Sequence, residues 1–297
     1  MPSSPAGGQR SHPVSGLLSG QKALLWVLVW STGLLAAWTW FLFFLNRPAR
    51  VEVQTALFNT LLSAGTVVVC AFILGWGTAL LLHFLDRPQR RRWYLALMFL
   101  LNLLRSIPQI VGMLLGYTAL TALIRGETLR VELFQVLMAA ILTSLVVFQE
   151  VSDVIRERIR HYMQMDFVNA LLVCGVPEFT IINREILRKN SMAHLVQKGV
   201  ALFGTAIFLV CSIDFIISVG LSNDVSLSNF PPTLGSMLAT LDSKQDILVI
   251  GTALSDPAVA STLLFEHLQG IGVAFLIVFT LLCVYRISNG LVERYRL

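Results

Sequence analysis

Two ionisable side chains, Arg105 and Asp214, fall inside apolar stretches of the chain. A charge there costs about 2.5 to 3.5 kcal/mol on insertion scales and therefore faces protein, water or a solute path. Arg105 stands just before Pro108, a residue that opens or kinks a membrane helix. Two roles fit Arg105: snorkelling to the inner surface or pairing there with Glu150 or Asp153, or lining of a translocation path. Asp214 lies about sixteen residues beyond Lys198, roughly 24 Å along a helix, which places it in the outer half of a span. It either bonds a neighbouring helix or lines the path. His83, Glu150 and Asp153 fall near inner helix ends, where solvation is expected.

Catalytic motifs are absent from the sequence. It contains no Gly-rich phosphate loop ending in Lys-Ser or Lys-Thr, no His-Glu-x-x-His and no Gly-x-Ser-x-Gly. The histidines His12, His83, His161, His194 and His267 are scattered over different segments, which argues against a metal centre. Cys70, Cys174, Cys211 and Cys283 stand singly at wide spacings, so neither a disulfide framework nor a zinc site is expected. The chain reads as a non-enzyme with no cofactor of its own.

The surroundings of these residues are those of a bilayer protein. Hydrophobic residues make up 56% of the chain and charged residues 13%, with a mean hydropathy of +0.74; soluble domains carry about 25% charge. Spanning a hydrocarbon core of about 30 Å takes about 20 apolar residues. Stretches that meet or approach this run Leu24 to Leu45, Ala56 to Phe84, Tyr94 to Leu123, Val131 to Phe148, Gly199 to Gly220 and Ile271 to Tyr285. The expected class is an all-α integral membrane protein with about six transmembrane helices. Residues 1–21, rich in Pro, Ser and Gly, read as a flexible tail without a cleavage site. Residues 22–55 read as a first span with a short outward loop, and 56–297 as the core, containing a hairpin at 155–197 and an outward segment at 221–269.

Basic residues orient the spans. With the N-terminus inside, the cytoplasmic side receives Arg10, Lys22, the cluster Arg87, Arg90, Arg91 and Arg92, the segment Arg156 to Lys198, and Arg286, Arg294 and Arg296. The other side receives Arg47, Arg50, Arg125, Arg130 and Lys244. This positive-inside bias places both termini and the hairpin in the cytoplasm. The formal charge of +5 is thus a topology signal that requires no nucleic acid.

Within the hairpin, Asp166 suits an N-cap for a helix starting at Phe167, and Gly175 suits a left-handed C-cap about two turns later. Pro177 and Glu178 suit the first turn of a second helix, which carries Arg184, Arg188 and Lys189 to about Asn190. On the first helix Phe167, Ala170, Leu171 and Cys174 share a face, while Val168, Leu172 and Val173 make the remainder nearly as apolar. A helix apolar all round is buried all round. This one is too short to span, so it is covered either by another protein or by its own membrane helices. Gly75 and Gly77, flanking Trp76, suit close helix packing.

From about Arg105 onward the order of features resembles the permease subunits of type I ABC importers, specifically the dipeptide, oligopeptide and nickel family. That family carries Asp-Tyr-Val-Glu-Ala-Ala, a Gly five residues after the first Ala, then Arg-His-Ile-Leu-Pro-Asn. This chain has Asp166, Phe167, Val168, Asn169, Ala170, Leu171, Gly175, then Arg184, Glu185, Ile186, Leu187, Arg188. Pro231, Pro232, Thr233, Leu234, Gly235, Ser236, Met237 and Leu238 resemble the family's Pro-Pro-x-Pro-x-Trp-Gly-x-Met-Leu, and Asn289, Gly290, Leu291 and Arg294 its Gly-Asp-Gly-Leu-Arg-Asp ending. Asn169, Leu171 and Arg188 stand where the family has Glu, Ala and Pro. The outward segment is longer than the family's around Ser243 to Ser261; Ile247 to Ile250 within it either pack on the chain itself or meet a partner.

The resemblance implies a bacterial inner-membrane, multi-pass permease of an ATP-driven importer of peptides or a related small solute. It implies a coupling helix, Phe167 to Cys174, seated on an ABC ATPase subunit that holds ATP and Mg. It also implies a second, homologous permease subunit and an extracytoplasmic substrate-binding protein. The altered Asn169 and Arg188 keep a different class open, a membrane scaffold derived from such permeases that holds a partner without moving solute. An ion-driven secondary transporter would carry more paired intramembrane charges or repeated broken helices than Arg105 and Asp214 supply.

Overall fold

The computed structural model describes residues 13–125, 131–220, 231–240, 251–252, 255–256 and 268–295. Residues 1–12 of the expected tail, Lys244 and most of the outward segment, including Ile247 to Ile250, lie outside the described residues. Every regular element described is helical. Among the described residues five helices are long and apolar enough to cross a membrane, or six if one bent pair counts as a single span, so the chain is a multi-pass membrane protein.

Helix α1 (Pro13–Phe44) is followed almost at once by α2 (Arg47–Leu85), whose start is set by extended Asn46 and by Pro48 in the first turn. The outward loop expected up to residue 55 is therefore reduced to two residues, and the rest of it is helix. After a 3-10 turn (Pro88–Arg90) come α3 (Arg91–Ser106), α4 (Gln109–Arg125) and α5 (Glu132–Met163). Then follow α6 (Asp166–Val173), α7 (Glu178–Thr180) and a π-helix (Ile181–Asn190). The chain continues through α8 (Met192–Gly220), the short α9 (Leu234–Thr240) and α10 (Leu268–Tyr295).

The third expected span, Tyr94 to Leu123, is not one helix. It breaks at Ile107, and α3 meets α4 at 92°. The cause is local: Pro108 has no N–H to donate and pushes the residue before it out of the helical region, so Ile107 takes φ −81, ψ 122. Only α4, about 25 Å long, remains to cross the hydrocarbon there. Helix α3 buries none of its side chains and exposes Trp93, Leu95, Phe99, Leu100 and Leu103.

The core lies between α2, α5 and α8, with α1 packed on α10 at its edge. Small residues permit the approach. A Cβ on Gly75 would come within 2.8 Å of Val151 on α5, whereas one on Gly77 meets nothing. Of the expected glycine pair, only Gly75 faces a neighbour. Gly235 is tighter still: a Cβ there would overlap the backbone of Cys211, so α9 can seat on α8 only with glycine at this position. The four cysteines are free thiols.

Candidate functional site

At one end of the bundle α6 forms a short knob with a closed C-terminus. Gly175 takes φ +79, the left-handed conformation that lacks a penalty only for glycine. Its N–H bonds Leu172 O at 3.0 Å and the Val176 N–H bonds Leu171 O at 3.1 Å. This pair of bonds is the Schellman arrangement, with Leu171 and Val176 both packed against the core. The other end differs by one residue from expectation. Met165 is the extended N-cap and Asp166 is the first helical residue, where its charge favours the helix dipole rather than capping a free N–H.

The chain does not cover α6 all round, as an all-apolar helix would ask. Val168 is fully buried and Leu171 partly so, whereas Phe167, Asn169, Ala170, Leu172, Val173 and Cys174 are exposed. Val173 stands 89% exposed. The inward stripe is therefore Val168 and Leu171, one turn apart, and the face of Phe167, Ala170 and Cys174 is open. Self-packing covers only a strip of this knob.

What holds the knob is legible in the side chains behind it. Glu178 accepts from His83 Nε2 and Arg87 Nη2, both at 2.8 Å, tying the hairpin to the end of α2. Trp76 Nε1 donates to Asn183 Oδ1 at 2.8 Å, and Tyr162 donates to the Asn190 carbonyl at 3.2 Å. Ile181, Ile182, Ile186 and Leu187 are buried behind these bonds, while Arg184, Arg188 and Lys189 face outward. The second helix is thus present where expected but wound as a π-helix, a form that is rare overall and frequent at functional sites. His83 is not simply solvated, as the sequence suggested, because Glu178 occupies it.

Glu178→Gln leaves His83 and Arg87 without their carboxylate. Each partly exposed pair is worth about 0.2–1 kcal/mol. Trypsin cleavage after Arg184 or Arg188 in the purified chain is expected to rise about fivefold, the factor that corresponds to about 1 kcal/mol. An unchanged cleavage rate would mean the apolar face alone fixes the hairpin.

Arg105, Glu150 and Asp153 form a polar belt where α3 turns into α4. Arg105 Nη2 donates to Asp153 at 2.5 Å, Lys198 Nζ to Glu150 at 2.6 Å and Gln109 Nε2 to Glu150 at 3.1 Å. The first expected role of Arg105, pairing with Asp153, is the one its geometry displays. Glu150 and Asp153 are paired rather than free in solvent. Together with Arg105 and Gln109 they border a groove of about 340 Å³ between α4 and α5.

Asp214 lies away from both groups, so the structure does not bring it together with Arg105 or with the knob. Its Oδ2 accepts from Thr233 Oγ1 at 2.6 Å, and the Tyr117 hydroxyl bonds the same carboxyl. Pro232 O accepts from Asn59 Nδ2 at 2.9 Å, and the Leu234 N–H donates to Thr60 Oγ1 at 3.0 Å. The segment leading into α9 is thereby fastened to α2 and α8, with α4 joined through Tyr117. A cavity of about 30 Å³, room for about one water, lies beside Asp214 and is lined by Tyr117, Ser218 and Thr233. The Ser218 hydroxyl there has no hydrogen-bond partner among the described residues. Of the two roles read from the sequence, the geometry displays the bonding one.

Sequence reasoning named Thr233 and Glu178 without their bonding roles and did not single out Tyr117. The only available signal for Thr233 was its place in the Pro231 to Leu238 motif. A scan against models of known protein families finds no match to this chain, and a search of curated proteins finds none either.

Proposed function

We propose that the chain is a transmembrane permease subunit of an ATP-driven ABC transporter, importing peptides or a related small solute across a bacterial inner membrane. The observation that carries this reading is the α6 knob: Phe167, Leu172 and Val173 are 38%, 40% and 89% exposed on a short helix outside the spans. An apolar surface of this kind on an otherwise anchored element is a contact for another protein. The ordered likeness of Asp166 to Gly175, of Pro231 to Leu238 and of Asn289 to Arg294 to one permease family supports an ABC ATPase as that protein.

In this reading ATP and Mg bind the ATPase subunits and never this chain. Closure of two ATPases displaces α6, and the stiff hairpin passes that displacement to α2 through Glu178 and to α5 through Val168. The result is rigid-body rocking of packed helices between two cavity orientations. A single permease cannot enclose the path, so a second permease stands beside it, and an extracytoplasmic binding protein delivers the solute. Membrane lipid surrounds the remaining faces.

A second reading rests on Asn169 and Arg188, both exposed at the hairpin. Where the family has proline after Ile-Leu, Arg188 lets the winding continue to Asn190. A hairpin so altered suits a scaffold that holds an ATPase or another partner without forming a solute path. Affinity purification of the full chain from its own cell membranes separates these readings. The permease reading expects ATPase subunits, a second permease and ATP hydrolysis that solute stimulates. A complex whose hydrolysis ignores every solute favours the scaffold, and a chain purified alone contradicts both.

A further inference from the structure

At the hairpin end of the bundle, α2, α3 and α5 enclose a cavity of about 250 Å³. Its polar lining is Arg156, Arg160 and Gln164 from α5, Tyr94 from α3, and His83 and Asp86 from the end of α2. His83 is engaged by Glu178, and Arg156 is only loosely paired, 3.9 Å from Asp153. Arg160 is exposed and forms no ion pair with the described residues. Asp86 is the one carboxylate in the lining, so the two arginines leave the cavity positive. Arg90, Arg91 and Arg92, all exposed, extend that charge along the start of α3.

Position along the membrane normal narrows what this charge meets. On α5 the apolar run ends at Phe148, just before Glu150 and Asp153, and on α8 it begins just after Lys198, so the Arg105–Asp153 and Lys198–Glu150 pairs mark the edge of the hydrocarbon. Arg156 and Arg160 follow Asp153 on α5 by about 4.5 and about 10 Å, which spans a headgroup layer of about 5–8 Å. Beside them α3 turns Trp93, Leu95, Phe99 and Leu103 outward, as an interfacial amphipathic helix does. Arginine, a tyrosine hydroxyl and a neighbouring apolar ridge at headgroup depth form the chemistry of an anionic phospholipid site.

We propose that this cavity binds the phosphate-bearing headgroup of an anionic glycerophospholipid from the adjoining leaflet, with its acyl chains lying along α3. Arg156 and Arg160 hold the phosphate, and Tyr94 donates to it. The lipid thereby joins α3 to α5, which the Arg105–Asp153 pair also links.

The test uses the purified full chain in neutral detergent, with phosphatidylglycerol and phosphatidylcholine titrated separately and counted by native mass spectrometry. Phosphatidylglycerol is expected to bind at least tenfold more tightly than phosphatidylcholine. Arg160→Gln, a change at an exposed side chain, is expected to weaken phosphatidylglycerol about fivefold, and Arg156→Gln with Arg160→Gln about 25-fold, each arginine near a membrane surface being worth about fivefold. Arg184→Gln, on the π-helix, is expected to change nothing. Equal binding of the two lipids overturns the proposal, as does an Arg184→Gln effect equal to that of Arg160→Gln, which would mean diffuse charge attraction. Displacement of phosphatidylglycerol by millimolar inorganic phosphate overturns the lipid source in favour of a free-anion site. Should the double variant fail to fold, Arg160→Gln alone decides.

Discussion

On the proposed docking, Val173→Lys is expected to release the ATPase subunit from the purified assembly while the chain itself stays folded and inserted. Val173 is 89% exposed, so the substitution costs the isolated chain within about 0.5 kcal/mol. A positive charge in the last turn of α6 also suits the helix dipole, which an aspartate there would oppose. In an apolar groove on a partner the same ammonium must be desolvated without a counter-charge. A contact at the centre of such an interface is worth about 2 kcal/mol or more, so retention of the ATPase should fall about thirtyfold. Ala170→Lys, on the open face, is expected to act in the same direction. Co-purification measured by quantitative gel or mass spectrometry checks both, and full retention in both variants counts against docking through this face.

Asp214→Asn is the second large effect. The carboxyl accepts from Thr233 Oγ1 and from Tyr117, and an asparagine offers one acceptor in place of two. The charge that strengthens both bonds is removed, and any donor that meets the amide nitrogen loses its acceptor. The loss of a hydrogen bond to a charged group is about 1.5–3 kcal/mol, and it falls on the fastening of the α9 segment to α8. Thermal unfolding of the purified chain is expected to show a destabilisation of about 2 kcal/mol. Because Thr233 acts through the same bond, Thr233→Val combined with Asp214→Asn should cost little more than the larger single change. Strict additivity would mean that the bond contributes nothing. Solute-stimulated ATP turnover in the same variant addresses the other role: a change beyond the loss of stability places the cavity on the path, and unchanged turnover leaves Asp214 a fastening.

Much of the frame could be read from residue order because it depends on neighbours in sequence. Gly175 ends α6 in the left-handed conformation because the chain must reverse within two residues of the last turn, and only glycine does so without strain. Pro108 announces a break because its effect falls on Ile107, the residue beside it. The size of that break was less accessible. A kinked span and a 92° turn share one hydropathy profile; the contact that accompanies the turn, Arg105 of α3 with Asp153 of α5, joins residues far apart in the chain.

The site was less legible because its bonds join residues far apart in the chain. Nothing near Glu178 indicates His83, and nothing near Asp214 indicates Tyr117 or Thr233; each pair exists only once α2, α4 and α8 have packed. The inward side of α6 could not be chosen from the sequence for a related reason: with Phe167, Val168, Ala170, Leu171, Leu172 and Val173 all apolar, composition gives no preferred side, and only packing on the core selects Val168 and Leu171.

The central claim, that the exposed face of α6 seats on an ATP-hydrolysing subunit, is tested most directly by a photoreactive amino acid at Val173 in the assembled complex. Irradiation is expected to yield one major covalent adduct, between this chain and the ATPase, at a yield that changes when ATP is bound. An adduct confined to lipid, or to this chain's own α5 or π-helix, would contradict the claim.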